Sequence, residues 1–220
     1  MQGPDTRTRL VLTAMELFRN KGYGSTSVAD VLQAARVNSG SLYHFFPGKQ
    51  DLLLAVLDAY HQGIGPMLLE PAWRDVADPI ERIFALLDCY RRALADSECL
   101  YACPIGSLAL ELHEPDLPVR ERLAANFGAW TDGIEACLNA AGTRLPEELD
   151  RRELAAFVLT TMEGAVMQAR TFRDLATFDG AVRQLRAHFQ RLLAADASGG
   201  RRPASRAKTG SNKPKKKEAR

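Results

Sequence analysis

Cysteine and histidine are sparse in this chain of 220 residues, at four each, and their placement removes several kinds of chemistry. Cys89, Cys99, Cys103 and Cys137 contain no C-x-x-C pair, and His44, His61, His113 and His188 are scattered, so no metal site is expected and no cofactor. Cys103 and His113 are the one conceivable nucleophile and base, and nothing in their spacing brings them together, so an enzyme is not expected. Long hydrophobic runs are also missing. The longest is near Leu52-Leu53-Leu54-Ala55-Val56-Leu57, far short of the ~18 residues of a membrane span, and no secretory signal precedes the first helix. A cytoplasmic protein without a membrane partner is the expectation. No segment alternates with period two, so strands are not expected and the fold class reads as all-α.

What the chain does have is 46% hydrophobic residues, ample for a core, arranged at helical spacing. Leu10, Val11, Ala14, Leu17 and Phe18 form a stripe on a helix from about Asp5 to Asn20, closed by Lys21-Gly22. Ser27 is a cap for a second helix carrying Val28, Val31, Leu32 and Ala35. Asn38 caps a third and shorter one, with Leu42 and Phe46 on one face and Pro47-Gly48 as its stop. Small residues crowd the first turn of this third helix, Ser39, Gly40 and Ser41, and leave its backbone free to approach a surface closely. Two short helices across a tight turn have the outline of a DNA-reading helix-turn-helix.

The stretch from Arg9 to Phe18, the Gly22-Tyr23 break, Thr26-Ser27, the run Val37 to Phe46, and Lys49 with Leu52 and Leu53 together resemble the TetR family of bacterial one-component transcriptional regulators. The resemblance is close over about the first quarter of the chain and looser beyond. It implies that Ser39, Gly40 and His44 face base edges in the major groove, and that Thr26, Ser41, Tyr43 and Lys49 hold phosphates. Ser27 and Arg36 are counted with them on the DNA-binding surface. Arg36 departs from the family, which usually has glycine at that turn; a left-handed backbone there would cost an arginine about 1 kcal/mol.

Charge divides along the chain. Residues 1–50 carry a balance of +3, residues 51–200 of −9 and the last 20 residues of +8. A basic head on an acidic body is what a DNA-binding regulator has. The chain accordingly divides into a helix-turn-helix domain over 1–49, a helical effector-binding and dimerisation domain over 50–196, and a basic tail over 197–220 that lacks any large apolar residue and is expected to be disordered. The tail suits sequence-independent attraction to nucleic acid, or is a solvated extension. A nucleoid-type binder driven by that tail is the alternative to a sequence-specific regulator.

The body reads as further helices, about nine in the whole chain. They run from Gln50 to about Gly63, where glycines end it; from Asp78-Pro79 through Tyr90; from Pro104 to His113; from Pro118 to Ala141; from about Pro146 to Phe172; and from Phe178 to Leu193. The last two resemble the paired helices through which TetR-family subunits form a homodimer. Leu154, Val158, Thr161, Ala165 and Ala169 on one, and Val182, Leu185, Phe189 and Leu192 on the other, are the expected interface, although an intramolecular core would use the same surface. A dimer would read a palindromic operator.

Two further expectations concern an effector. Tyr101 to Leu112 resembles the Gly-Cys-Leu/Pro-x-Gly-Asn-Leu-Ala-x-Glu stretch of a TetR-family branch that includes sensors of electrophiles and oxidants, with Ala102 and Ser107 as departures. At a helix N-terminus Cys103 would lose its proton more readily and serve as a thiol sensor; the alternative is a small buried hydrophobe. Phe84, Leu87, Tyr90, Phe127, Trp130, Met162 and Met167 are candidates to line an apolar cavity for a small hydrophobic or electrophilic effector, or else ordinary core. Asp51 to Leu57 would carry the resulting movement to the head, making the protein a repressor released by its ligand.

Overall fold

The computed structural model describes residues 5–199. Among them no strand occurs, and nine helices do: α1 (Thr6–Lys21), α2 (Val28–Ala35), α3 (Ser39–Phe45), α4 (Lys49–Trp73), α5 (Pro79–Asp96), α6 (Pro104–Glu111), α7 (Leu117–Ala140), α8 (Arg151–Phe172) and α9 (Leu175–Gly199). Short polar side chains start most of them by taking up otherwise unpaired amides. The Asp5 carboxylate accepts from Thr8 N at 2.8 Å, Asn38 Oδ1 from Ser41 N at 2.8 Å, and Asp78 from the amides of Ile80 and Glu81. Ser27 and Asp30 form a reciprocal capping box.

Two expectations about boundaries are corrected. The helix beginning at Lys49 does not stop at Gly63 and Gly65 but widens there into a π-helical segment, Ile64–Leu69, and runs on to Trp73. Pro66 supplies the reason: it has no amide to donate and its ring crowds the carbonyl four residues back, so the ladder shifts, and the Glu70 amide reaches Gly65 O. The eighth helix starts at Arg151 rather than near Pro146, with Asp150 as its cap. By length and composition α4 is apolar enough to cross a membrane. Here Leu52, Leu53, Val56, Leu57 and Leu69 are buried inside the protein.

Two cores form. One joins Leu10, Ala14, Phe18, Val31, Leu42 and Phe46 of the first three helices to Leu52, Val56 and Leu57 of α4, and to Ile105, Leu108, Val119 and Leu123 of α6 and α7. The other packs α5, α7, α8 and α9 around Leu87, Ile134, Met162, Phe178 and Phe189, with Leu69 at its edge. The head therefore shares its apolar interior with the near ends of α4, α6 and α7. Polar ties lace α4 to α7 as well: Asn126 Nδ2 donates to Leu57 O at 3.0 Å, Arg122 Nε to Asp58 at 2.9 Å, and Gln50 to Asp116.

The expected dimer surface is corrected in the same way. Leu154, Val158, Ala165 and Ala169 of α8, and Leu185 and Phe189 of α9, are buried within the second core, and Thr161, Val182 and Leu192 are half-buried. Apolar lines on two sides of α8 exist because α5, α7 and α9 all need covering. The large apolar side chains that α8 leaves outside are Phe157 and Met167, each 50% exposed, with Gly164 between them, and Phe172 at its end. The His188 ring of α9 stands edge-on to Phe157 at 5.9 Å. Of the expected tail, residues 197–199 continue the last helix, and the rest lies outside the described residues.

Candidate functional site

The α2–turn–α3 unit is held from beneath and bare on top. Leu42 and Phe46 anchor α3 in the core, while Ser39, Gly40, Tyr43 and His44 are exposed on the side away from it and Ser41 is partly so. Arg36 caps α2 in a left-handed conformation, φ 54° and ψ 50°, with its amide reaching back to Gln33 O and Leu32 O. The turn keeps the geometry that glycine ordinarily serves, and the arginine side chain is exposed beside α3. Lys49 opens α4 with its ammonium over the Tyr23 ring at 4.1 Å, and partial burial lowers its pKa. Arg7, not singled out by the sequence, lies over the Phe46 ring at 5.4 Å and adds a cation near the same surface.

Thr26 is a correction. It was expected at a phosphate, but its side chain is fully buried and its hydroxyl donates to Gly22 O at 2.7 Å, fastening the loop that links α1 to α2. Ser27 is exposed, with its hydroxyl engaged in the capping box with Asp30.

Behind the head, α4, α5, α6, α7 and α8 enclose a cavity of about 230 Å³. Its walls are almost wholly apolar and include Tyr60, Tyr90, Tyr101, Phe127 and Trp130, with Cys103 and Glu163 among the few polar groups. Trp130 Nε1 donates to the Tyr90 hydroxyl at 3.0 Å, which bridges α5 and α7 across one wall. Of the residues expected here, Tyr90, Phe127, Trp130 and Cys103 line the cavity. Phe84 and Leu87 do not: both border a separate cleft between α5 and α9, where Phe84 meets Phe189 edge-on at 5.5 Å under the Arg186 guanidinium. Met162 is buried in the second core, and Met167 lies in an outer groove along α6 and α8 that shares Cys103, Phe127, Leu159 and Glu163 with the cavity.

The expected acidity of Cys103 is also corrected. It precedes Pro104 at the start of α6, and the amides of Ile105 and Gly106 do favour its thiolate. Burial and the neighbouring Glu163 carboxylate outweigh them and push the thiol well above its ordinary range. The thiol and the Glu163 carboxylate are neighbours, and burial raises the pKa of Glu163 in turn. Glu163 reaches this position because Gly106 has no side chain; a Cβ there would collide with the carboxylate. The sequence carried one signal for Glu163, a lone acid among Leu159, Met162 and Val166 on a buried line, and it passed unread.

At the other end of α6, Glu111 grips the head. Its two carboxylate oxygens accept from Tyr23 N at 2.9 Å and Gly24 N at 2.5 Å, between α1 and α2. Gly22 makes the approach possible: its φ is +85°, and a Cβ there would stand 3.1 Å from the same carboxylate. The final glutamate of the Cys-to-Glu stretch thus has a defined task that spacing alone did not disclose. One helix of eight residues has its first turn in the cavity wall and its last residue on the helix-turn-helix.

Comparison with known proteins agrees with this architecture. Residues 10–56 match the family model for bacterial regulatory proteins of the TetR family, and residues 79–184 match the C-terminal domain of LmrA/YxaF-like transcriptional regulators. An HTH-type transcriptional regulator of Mycobacterium tuberculosis is 35% identical over 192 residues, 84% of this chain and 94% of its own. The HTH-type regulator LmrA of Bacillus subtilis is 26% identical over 173 residues, 77% of this chain and 89% of its own. The crystal structure of a TetR regulatory protein from Rhodobacter sphaeroides superposes with a TM-score of 0.74 at 26% identity, covering 83% of this chain and 98% of that one. The chain belongs to the TetR family and is a DNA-binding transcriptional regulator, with a C-terminal domain of the LmrA/YxaF type.

Proposed function

We propose that the protein is a cytoplasmic, homodimeric repressor of a palindromic operator, with residues 1–49 as the reading head and the remaining helices as its effector-binding and dimerising body. A small molecule entering the cavity behind the head releases the DNA. The observation that carries this reading is α6: Cys103, Pro104 and Ile105 line the cavity, and Glu111 holds the amides of Tyr23 and Gly24. A ligand that moves the first turn of α6 moves the clamp on the head. The ties from Asn126 and Arg122 to α4 give it a second route. A ligand shifts such an equilibrium only through its different affinity for the two arrangements.

Base reading falls to Ser39, Gly40 and His44 on the exposed face of α3. Ser41, Tyr43, Lys49, Arg36 and Arg7 are placed for phosphates, a division that fixes register separately from sequence choice. The dimer surface is the outer face of α8 and α9 with Phe157, Gly164 and Met167, which supports close helix approach over a small residue. Non-covalent ligand entry is favoured over thiol modification, because the partly buried Cys103, its pKa raised by desolvation and by Glu163, is a poor nucleophile.

The test uses a duplex selected by the full chain and any compound that quenches Trp130 fluorescence. In the wild type, the compound weakens DNA binding. In Glu111→Ala the compound still binds, and its effect on DNA affinity falls by about fivefold or more. A variant that responds like the wild type overturns the α6 route.

A further inference from the structure

The cavity has a chemical bias as well as a shape. Glu163 stands where cavity and outer groove meet, and among the described residues it makes no ion pair with an arginine or lysine. Its neighbour there is the Cys103 thiol, a weak donor. Burial chiefly raises the pKa of the Tyr90 and Tyr101 hydroxyls, and the neighbouring Cys103 and then Glu163 add to it. A second source of negative potential is Asn126. Its Nδ2 is committed to Leu57 O and to Arg122 O at 2.9 Å, which leaves Oδ1 as an acceptor buried without a partner at the cavity wall. The aromatic residues Tyr60, Tyr90, Tyr101, Phe127 and Trp130 line the same cavity.

A carboxylate largely withdrawn from water, as Glu163 is, is costly unless a positive charge meets it, and aromatic walls favour cations over anions. We propose that the ligand of this cavity is a small organic cation: an ammonium group on an apolar, aromatic-sized frame, with its charge against Glu163 and its body among the rings. This rests on the cavity being the effector site, and it adds the ligand's charge and polarity. Gly106 belongs to the same device, since only its missing side chain lets the carboxylate stand at the wall. Anionic and strongly polar ligands are disfavoured by the same groups. Arg170 and Arg173 border the outer groove and not the cavity, and Arg19, whose charge is felt at Tyr60 and Tyr101, stands behind the wall and not in it.

The charge is isolated with two probes of one shape. Phenyltrimethylammonium is compared with its uncharged carbon isostere, tert-butylbenzene, and with benzoate, each titrated into the full chain and followed by Trp130 fluorescence and by competition for a selected operator duplex. The cation is expected to bind about tenfold or more tightly than the isostere, with benzoate weakest. Glu163→Gln, which keeps the size of the side chain, removes the preference while leaving isostere binding in place. Cys103→Ser keeps the preference. Circular dichroism establishes that each variant is folded; if Glu163→Gln is not, Glu163→Asp serves, with a reduced preference expected. If the isostere binds as well as the cation, or the preference survives the loss of the carboxylate, the charge assignment is overturned while the cavity stands as the effector site. If none of the three probes binds or disturbs DNA binding, both readings fall.

Discussion

Glu163 and Thr26 illustrate what single residues do here that their positions in the sequence did not disclose. Thr26 sits beside the helix cap in the place of a phosphate contact, yet its hydroxyl is spent inside the loop on Gly22 O. Whether a hydroxyl faces solvent or interior at a helix entry depends on the packing of a neighbouring helix, which no local pattern encodes. Glu163 has a consequence for stability. Its ordinary pKa is 4.5, and burial raises the folded value above that. Between the two values the folded protein holds more protons at this site than the unfolded chain, so the site's contribution to stability falls as pH rises through that window. Thermal unfolding of the wild type and Glu163→Gln, compared across acid to neutral pH, should show the wild type losing ground to the variant as pH rises. A constant difference between them would mean that the carboxyl is not desolvated.

At the scale of elements, helix starts were legible and helix faces were not. Ser27, Asn38 and Asp78 cap the helices that the sequence assigned to them, because capping is settled by the side chain and the next three amides. The left-handed turn at Arg36 was not settled that way: the family resemblance set an arginine where glycine is usual and left the turn geometry open, and the backbone keeps it at φ 54°. The end of α4 was misplaced because Gly63 and Gly65 were read as stops, when Pro66 and the packing of Leu69 carry the helix onward through a π segment. The orientation of α8 was misread because two apolar lines run along it and the sequence gives no rule for which one meets the rest of the body. That orientation makes a sharp prediction about adjacent residues. Phe157→Asp should convert the proposed dimer to a folded monomer in sedimentation experiments. Val158→Asp buries a charge in the second core and should unfold the body, a loss of several kcal/mol.

Over the whole molecule, charge and connectivity describe a basic reading head on an acidic body, joined by α4 and α6. The cavity was legible as an expectation of aromatic residues, and four of its eight candidates line it. The grouping of Cys103, Asn126 and Glu163 emerged only from the meeting of α6, α7 and α8, each of which supplies one of the three. The basic tail is tested separately. Deleting residues 200–220 should leave the preferred DNA sequence unchanged while making the logarithm of affinity less steeply dependent on that of salt concentration. Loss of most affinity for every sequence would instead assign binding to the tail. The account turns most directly on selection of bound duplexes from random DNA by the full chain, with the stoichiometry of the enriched complex. It predicts a palindrome whose half-sites lie about one helical turn or more apart, bound through paired α3 helices. Enrichment of no sequence, or of an unsymmetrical site bound by one chain, would contradict it.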